Sequence, residues 1–202
     1  MSSSERILLE GPVGAIETVI DHPPGAPRGI ALVAHPHPLY GGTLDNKVAQ
    51  TLARTFVELG YVAVRPNFRG VGGSAGKHDD GNGETEDLLA VIAAVRRRPG
   101  LAEAPLVLAG FSFGSLVQSR VALRVAVQRL VFVGTAVTRG VVENVPEDTL
   151  VIHGEKDDTV PLELVLRWAE PMELPVTVIP GADHFFHHRL HILRSIIMRA
   201  WS

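Results

Sequence analysis

A chain of 202 residues with a formal charge of −3, 46% hydrophobic and 20% charged residues has the composition of one globular domain with a large core. Its basic triplet Arg96, Arg97, Arg98 reads as a helix end and no longer Lys/Arg run offers counter-charge to a phosphate backbone, so nucleic acid is not an expected partner. The absence of cysteine excludes disulfides, thiolate zinc sites and a cysteine nucleophile. The start, Met1 to Arg6, is polar and unlike a secretory signal, and no stretch approaches the 18 or so consecutive apolar residues of a membrane span. The expectation is a cytoplasmic protein without a membrane partner.

In chain order, Ile7 to Glu10 and Val13 to Ile20 flank Gly11-Pro12 and predict an antiparallel hairpin. Ile30 to Ala34 has the short apolar character of a strand buried on both faces and ends in the loop His35 to Gly42. Val48, Leu52, Phe56 and Leu59 recur at helical spacing. Strand Tyr61 to Val64 then leads to a Gly-rich loop, Arg69 to Gly76, and to a helix from about Thr85 with Leu88, Ile92 and Val95 on one face, stopped by Pro99-Gly100. Leu106 to Ala109 is the next strand, with a helix from near Ser115. Strands at Leu130 to Val133, Leu150 to His153 and Val176 to Ile179 follow, and a last helix spans about Phe186 to Ala200. Strands alternating with amphipathic helices predict an α/β fold, a mostly parallel sheet covered on both faces with an N-terminal antiparallel edge, in a single domain over residues 1–202. In open sheets of this kind ligands sit at the carboxyl ends of the strands.

Gly110-Phe111-Ser112-Phe113-Gly114 fits G-x-S-x-G between an apolar strand and a helix. A serine on such a turn stands in a strained backbone conformation, and glycines two residues either side let strand and helix backbones approach. Its hydroxyl needs a base, and the base needs a group that fixes its tautomer. His153-Gly154-Glu155-Lys156-Asp157-Asp158-Thr159-Val160-Pro161 and then Gly181-Ala182-Asp183-His184 supply acids and histidines in the order this scaffold requires.

With these motifs the chain resembles, over nearly its whole length, a small member of the α/β-hydrolase superfamily of the dienelactone-hydrolase-like or short esterase kind. The resemblance aligns H-G-x-x-D-x-x-V-P with His153 to Pro161 and G-A-x-H-F with Gly181 to Phe185, which implies Ser112 as nucleophile, Asp157 as acid and His184 as base. Asp158 is the alternative acid, and Asp157 could instead cap the helix near Pro161. Arg69 to Ser74 resembles the R-G-x-G-x-S loop, and His35 to Gly42 with Asp45-Asn46-Lys47-Val48 resembles a bacterial subgroup of small hydrolases. An oxyanion hole is implied as well, with the Phe113 N–H as one donor. The family more often has H-G where this chain has His35-Pro36; since proline has no N–H, the second donor falls to His37, with Leu39 next.

Family lids usually enter between the sixth and seventh strands, where only residues 134 to 147 lie, so a lidless, open site is expected. That favours esters of small or solvent-accessible acyl groups. Leu39, Tyr40 and Arg69 are candidate substrate contacts, and Arg65 and Lys47 share the position just past a strand or at a helix start where an arginine fork or an ammonium can hold a carboxylate. His187, His188 and His191 at helical spacing, and His35 with His37, invite a metal reading. On a helical wheel, however, Phe186, Leu190, Leu193 and Ile197 form the buried stripe and the three histidines fall opposite. A Ser-His-Asp system needs no metal or other cofactor. The implied reaction is ester hydrolysis on a small-molecule acyl substrate; a thioesterase, peptidase or acyltransferase with the same residues, and a non-catalytic binding protein on the same scaffold, are the rival readings.

Overall fold

The computed structural model describes residues 3–201, so Met1 and Ser2 of the polar start, and Ser202, lie outside the described residues. Eight strands form one sheet: β1 (Ser3–Gly11), β2 (Gly14–His22), β3 (Gly29–Ala34), β4 (Tyr61–Pro66), β5 (Leu106–Phe111), β6 (Arg129–Val133), β7 (Leu150–Gly154) and β8 (Val176–Ile179). Their spatial order is β1-β2-β4-β3-β5-β6-β7-β8. β2 pairs antiparallel with both β1 and β4, and every pair from β4 to β8 is parallel. The expected hairpin is therefore present, though β1 begins at Ser3, because an edge strand whose residues alternate between exposed and half-buried carries little apolar signal at its polar start.

Among the described residues four helices connect strands, α1 (Lys47–Glu58), α2 (Asn82–Arg96), α3 (Phe113–Ala122) and α4 (Leu162–Ala169), and a fifth, α5 (Leu190–Ala200), follows β8. Side chains of β3, β4 and β5 alternate between two cores, as a strand buried on both faces requires. Ile30, Leu32, Val62, Val64, Leu106 and Leu108 pack toward α2 and α3 with Leu88, Val91, Leu116 and Val117. Ala31, Val33, Ala63, Val107 and Ala109 face α1 and α5 through Val48, Leu52, Phe56, Leu193 and Ile197. The small residues on this second face let the helices sit close to the sheet.

Two helix starts differ from the sequence expectation for identifiable reasons. α2 begins three residues early because the buried Glu84 carboxylate accepts the N–H groups of Asp79 and Gly81, both at 2.9 Å, and ties down the first turn. α5 begins four residues late, at Leu190, because Phe186 (φ 54°) and His188 (φ 59°) take the left-handed conformation, which a right-handed helix cannot include. The buried stripe survives this change: Phe186, Leu193 and Ile197 are buried, Leu190 is half-buried, and His187, His188 and His191 are exposed. Between β6 and β7 the chain makes only turns and irregular backbone, and among the described residues no lid domain covers the carboxyl end of the sheet.

Candidate active site

Ser112 stands between β5 and α3 at φ 53°, ψ −121°, a conformation that costs a non-glycine residue of order 1–3 kcal/mol and holds its side chain out at the sheet's carboxyl edge. The flanking glycines are required by close approach. A methyl group on Gly110 would lie 2.5 Å from the Gly114 carbonyl, and one on Gly114 would collide with the Ala34 carbonyl of β3. The Ser112 N–H bonds the Val133 carbonyl at 2.9 Å, and Ser115 Oγ donates to the Ser112 carbonyl at 2.6 Å, so the strained residue is held on both sides.

The loops after β7 and β8 bring the partners. His184 Nε2 lies 3.0 Å from Ser112 Oγ, and His184 Nδ1 lies 2.7 Å from Asp157 Oδ2. Asp157 Oδ1 accepts the N–H groups of Val160 at 2.7 Å and Thr159 at 3.0 Å, which leaves Oδ2 for the imidazole. A carboxylate can only accept, so His184 carries its proton on Nδ1 and presents a lone pair to the serine hydroxyl. Asp157 and His184 are buried, whereas Asp158 is exposed and its carboxylate meets Thr159 Oγ1 at 3.4 Å. Of the two candidate acids, Asp157 and Asp158, only Asp157 reaches the histidine.

Two further buried histidines build the scaffold. His35 Nε2 accepts the Phe68 N–H at 2.9 Å and so its Nδ1 donates to the Pro36 carbonyl at 2.7 Å, committing both ring nitrogens. Burial lowers its pKa to about 4 and keeps it neutral. His153 Nε2 donates to the Val160 carbonyl at 2.8 Å, bracing the loop that carries Asp157, and burial lowers its pKa too. Among the described residues no three His, Asp or Glu side chains converge in a metal-ligating arrangement.

A cleft of about 280 Å³ opens over Ser112 and His184, lined also by Pro36, His37, Tyr40, Asn46, Arg139 and Phe185. A larger hollow of about 380 Å³ between the N-terminal strands and α1 contains none of these groups. The residues singled out from sequence divide accordingly. Ser112, His184, His37 and Tyr40 line the cleft, with Asp157 directly behind His184 and Phe113 beside Ser112. Leu39 points elsewhere: it is exposed and lines a neighbouring hollow with Pro38, Arg69 and His78.

Arg69 is a brace rather than a cleft residue, since its guanidinium is bidentate on the buried Asp87 of α2, at 2.8 and 2.9 Å. Arg65 is committed in the same way, to the Leu44 carbonyl at 2.8 Å and Asp21 at 3.0 Å. Lys47 is exposed at the first position of α1. Arg139 and Phe185 were not legible as site residues. Phe185 follows the histidine and packs edge-on against it, with ring centroids 5.2 Å apart.

Residues 16–138 match the model of a family described as X-Pro dipeptidyl-peptidase, S15. The chain belongs to the S15 family of α/β hydrolases. An uncharacterized protein of Rickettsia prowazekii is 32% identical over 198 residues, covering 91% of this chain and 83% of that protein. Among solved structures, an α/β serine hydrolase without a lid from Xanthomonas campestris shares 38% identity at a TM-score of 0.90, over 98% of this chain and 93% of its own. An α/β serine hydrolase homologue from Coxiella burnetii shares 39% at 0.87, over 98% and 97%. This S15-family chain thus has the serine-hydrolase fold in its lidless form.

Proposed function

We propose that this S15-family protein is a carboxylesterase acting on small or solvent-accessible acyl groups, with Ser112 as nucleophile, His184 as general base and Asp157 as the group that orients it. The observation that carries the reading is the unbroken relay from Ser112 Oγ to His184 Nε2 at 3.0 Å and from His184 Nδ1 to Asp157 at 2.7 Å. In this reaction His184 removes the serine proton as Oγ attacks the ester carbonyl, and Asp157 stabilises the imidazolium that forms. The ring then passes the proton to the leaving alcohol, and a water repeats the cycle to free the acid and Ser112.

The oxyanion that develops at each step needs two N–H donors. Phe113 is the first residue of α3, so its N–H has no intrahelical acceptor and sits at the positive end of the helix dipole. In the loop after β3 the candidates fall away one by one. Pro36 and Pro38 have no N–H; that of Leu39 goes to His37 Nδ1, those of Tyr40 and Gly42 to the His37 carbonyl, and that of Gly41 to the Pro38 carbonyl. Within residues 36 to 42 this leaves the His37 N–H as the second donor.

The family description raises a second reading, an exopeptidase. Such an enzyme has to hold a substrate's terminal ammonium, and no Asp or Glu is among the residues lining the cleft. The open mouth and the lack of an anionic subsite favour the ester reading, which needs no cofactor, and a cytoplasmic location goes with it. Hydrolysis of 4-nitrophenyl acetate by the native protein, abolished in a folded Ser112→Ala variant, is the expected result; undiminished turnover by the variant would refute it.

A further inference from the structure

Arg139 is the one residue with a permanent positive charge among those lining the cleft, and the chain around it is fastened in place. The Ala136 N–H bonds Ser115 Oγ at 3.1 Å and the Glu143 N–H bonds Ser119 Oγ at 3.0 Å, so α3 grips the segment three residues before and four residues after the arginine. The Arg139 N–H closes a turn onto the Ala136 carbonyl at 3.1 Å. Gly140 passes so close to Leu116 that a methyl group there would approach it to 2.9 Å. Without such anchors a turn segment would not be expected to aim a side chain.

The guanidinium meets only neutral groups. Nη1 donates to the Tyr40 hydroxyl at 3.3 Å and the group lies 4.8 Å from the centre of the Tyr40 ring, across the cleft from the β6–β7 segment. Arg6, Arg65, Arg69 and Arg124 each rest on an Asp or Glu, but among the described residues no carboxylate lies within ion-pair distance of Arg139. Its charge reaches into the site, where it is one of the influences that lower the pKa of His37, after burial and His78. A guanidinium has five donors in a planar fork suited to a carboxylate, and the Tyr40 hydroxyl, accepting from Arg139, keeps its own proton to donate. Both groups are exposed and hydrated in the open cleft, so a bound substrate that displaces this water has to offer an acceptor in its place.

We propose that Arg139, with Tyr40, makes this cleft selective for esters that carry a second, free carboxylate near the scissile bond. The inference rests on the esterase reading and adds the substrate class to it. Arg139 acts in binding only and takes no part in proton transfer.

The test compares matched ester pairs that differ in one carboxylate. On the acyl side these are mono-4-nitrophenyl glutarate and 4-nitrophenyl pentanoate; on the alcohol side, 4-acetoxybenzoate and its methyl ester. The readout is the ratio of kcat/KM, charged over neutral. The native protein should show a ratio above one in at least one pair, of about tenfold, the scale of a charge-assisted hydrogen bond. The ratio should remain above one in Arg139→Lys, fall to about one in Arg139→Gln, and drop below one in Arg139→Glu. Turnover of the neutral esters with ratios at or below one in both pairs, or ratios indifferent to these substitutions, would overturn the inference and leave the esterase reading standing. Failure to turn over any of the four would overturn both.

Discussion

His184 and Asp157 share one 2.7 Å hydrogen bond while the other carboxylate oxygen of Asp157 is held by the N–H groups of Val160 and Thr159. The backbone therefore fixes the carboxylate, and the carboxylate fixes which nitrogen of the ring carries the proton. Asp157→Asn would keep the shape but present the wrong hydrogen-bonding group, so kcat should fall by about 10³- to 10⁴-fold. Asp158→Asn, at an exposed position, should stay within about twofold of native. Steady-state kinetics on a 4-nitrophenyl ester separates the two acids that the sequence motif left open.

Ser112 combines its proposed role as nucleophile with a strained backbone, and the two can be separated. A glycine at 112 removes the hydroxyl and relaxes the φ of 53°, whereas an alanine removes the hydroxyl alone. Ser112→Gly should be more stable than Ser112→Ala by about 1 kcal/mol in urea denaturation, with both inactive. Equal stability, or a less stable glycine variant, would show that the turn is unstrained.

Acid should destabilise the fold through its buried histidines. His35 has a folded pKa of about 4, against about 6.5 for an unperturbed histidine, so between these values the unfolded chain takes up a proton that the folded chain refuses. Stability is complete above about pH 6.5 and falls as pH falls toward 4, at up to about 1.4 kcal/mol per pH unit for each such proton. His153, lowered in the same direction, adds to the slope. His35→Phe, although less stable at neutral pH through loss of the Phe68 acceptor, should show a shallower decline between pH 6.5 and 5. An unchanged slope in urea titrations would remove His35 from this account.

On the proposed esterase reading, the cleft limits the acyl group. At about 280 Å³ it lies at the small end of ligand sites, and the turns between β6 and β7 provide no cover for a long chain. Rates on 4-nitrophenyl esters should decline as the acyl chain lengthens from acetate to laurate, and a preference for the longest chains would contradict an open, short site.

What the sequence revealed and what it hid have a common physical basis. The strand-to-helix turn that carries Ser112, and the loops after later strands that bring Asp157 and His184 to it, were legible because each leaves a short local signature. Strand and helix types followed from apolar spacing. The insertion of β4 between β2 and β3 is a long-range pairing with no local trace. The carboxylate that claims Arg69 is Asp87, 18 residues on, and so a brace was read as a candidate substrate contact. Arg139 was silent for the same reason: its position depends on Ser115 and Ser119 of α3 gripping a segment without periodicity. Phe186 to His188 satisfied helical spacing yet fold as turns, with the Asp183 carboxylate accepting the His187 N–H at 3.0 Å.

The most direct test of the central claim is to treat the folded protein with a fluorophosphonate and locate the adduct by peptide mass spectrometry. A single stoichiometric adduct on Ser112, formed in step with loss of esterase activity and much more slowly in Asp157→Asn, is the predicted result. An unmodified Ser112, or an adduct on another residue that accounts for the lost activity, would contradict it.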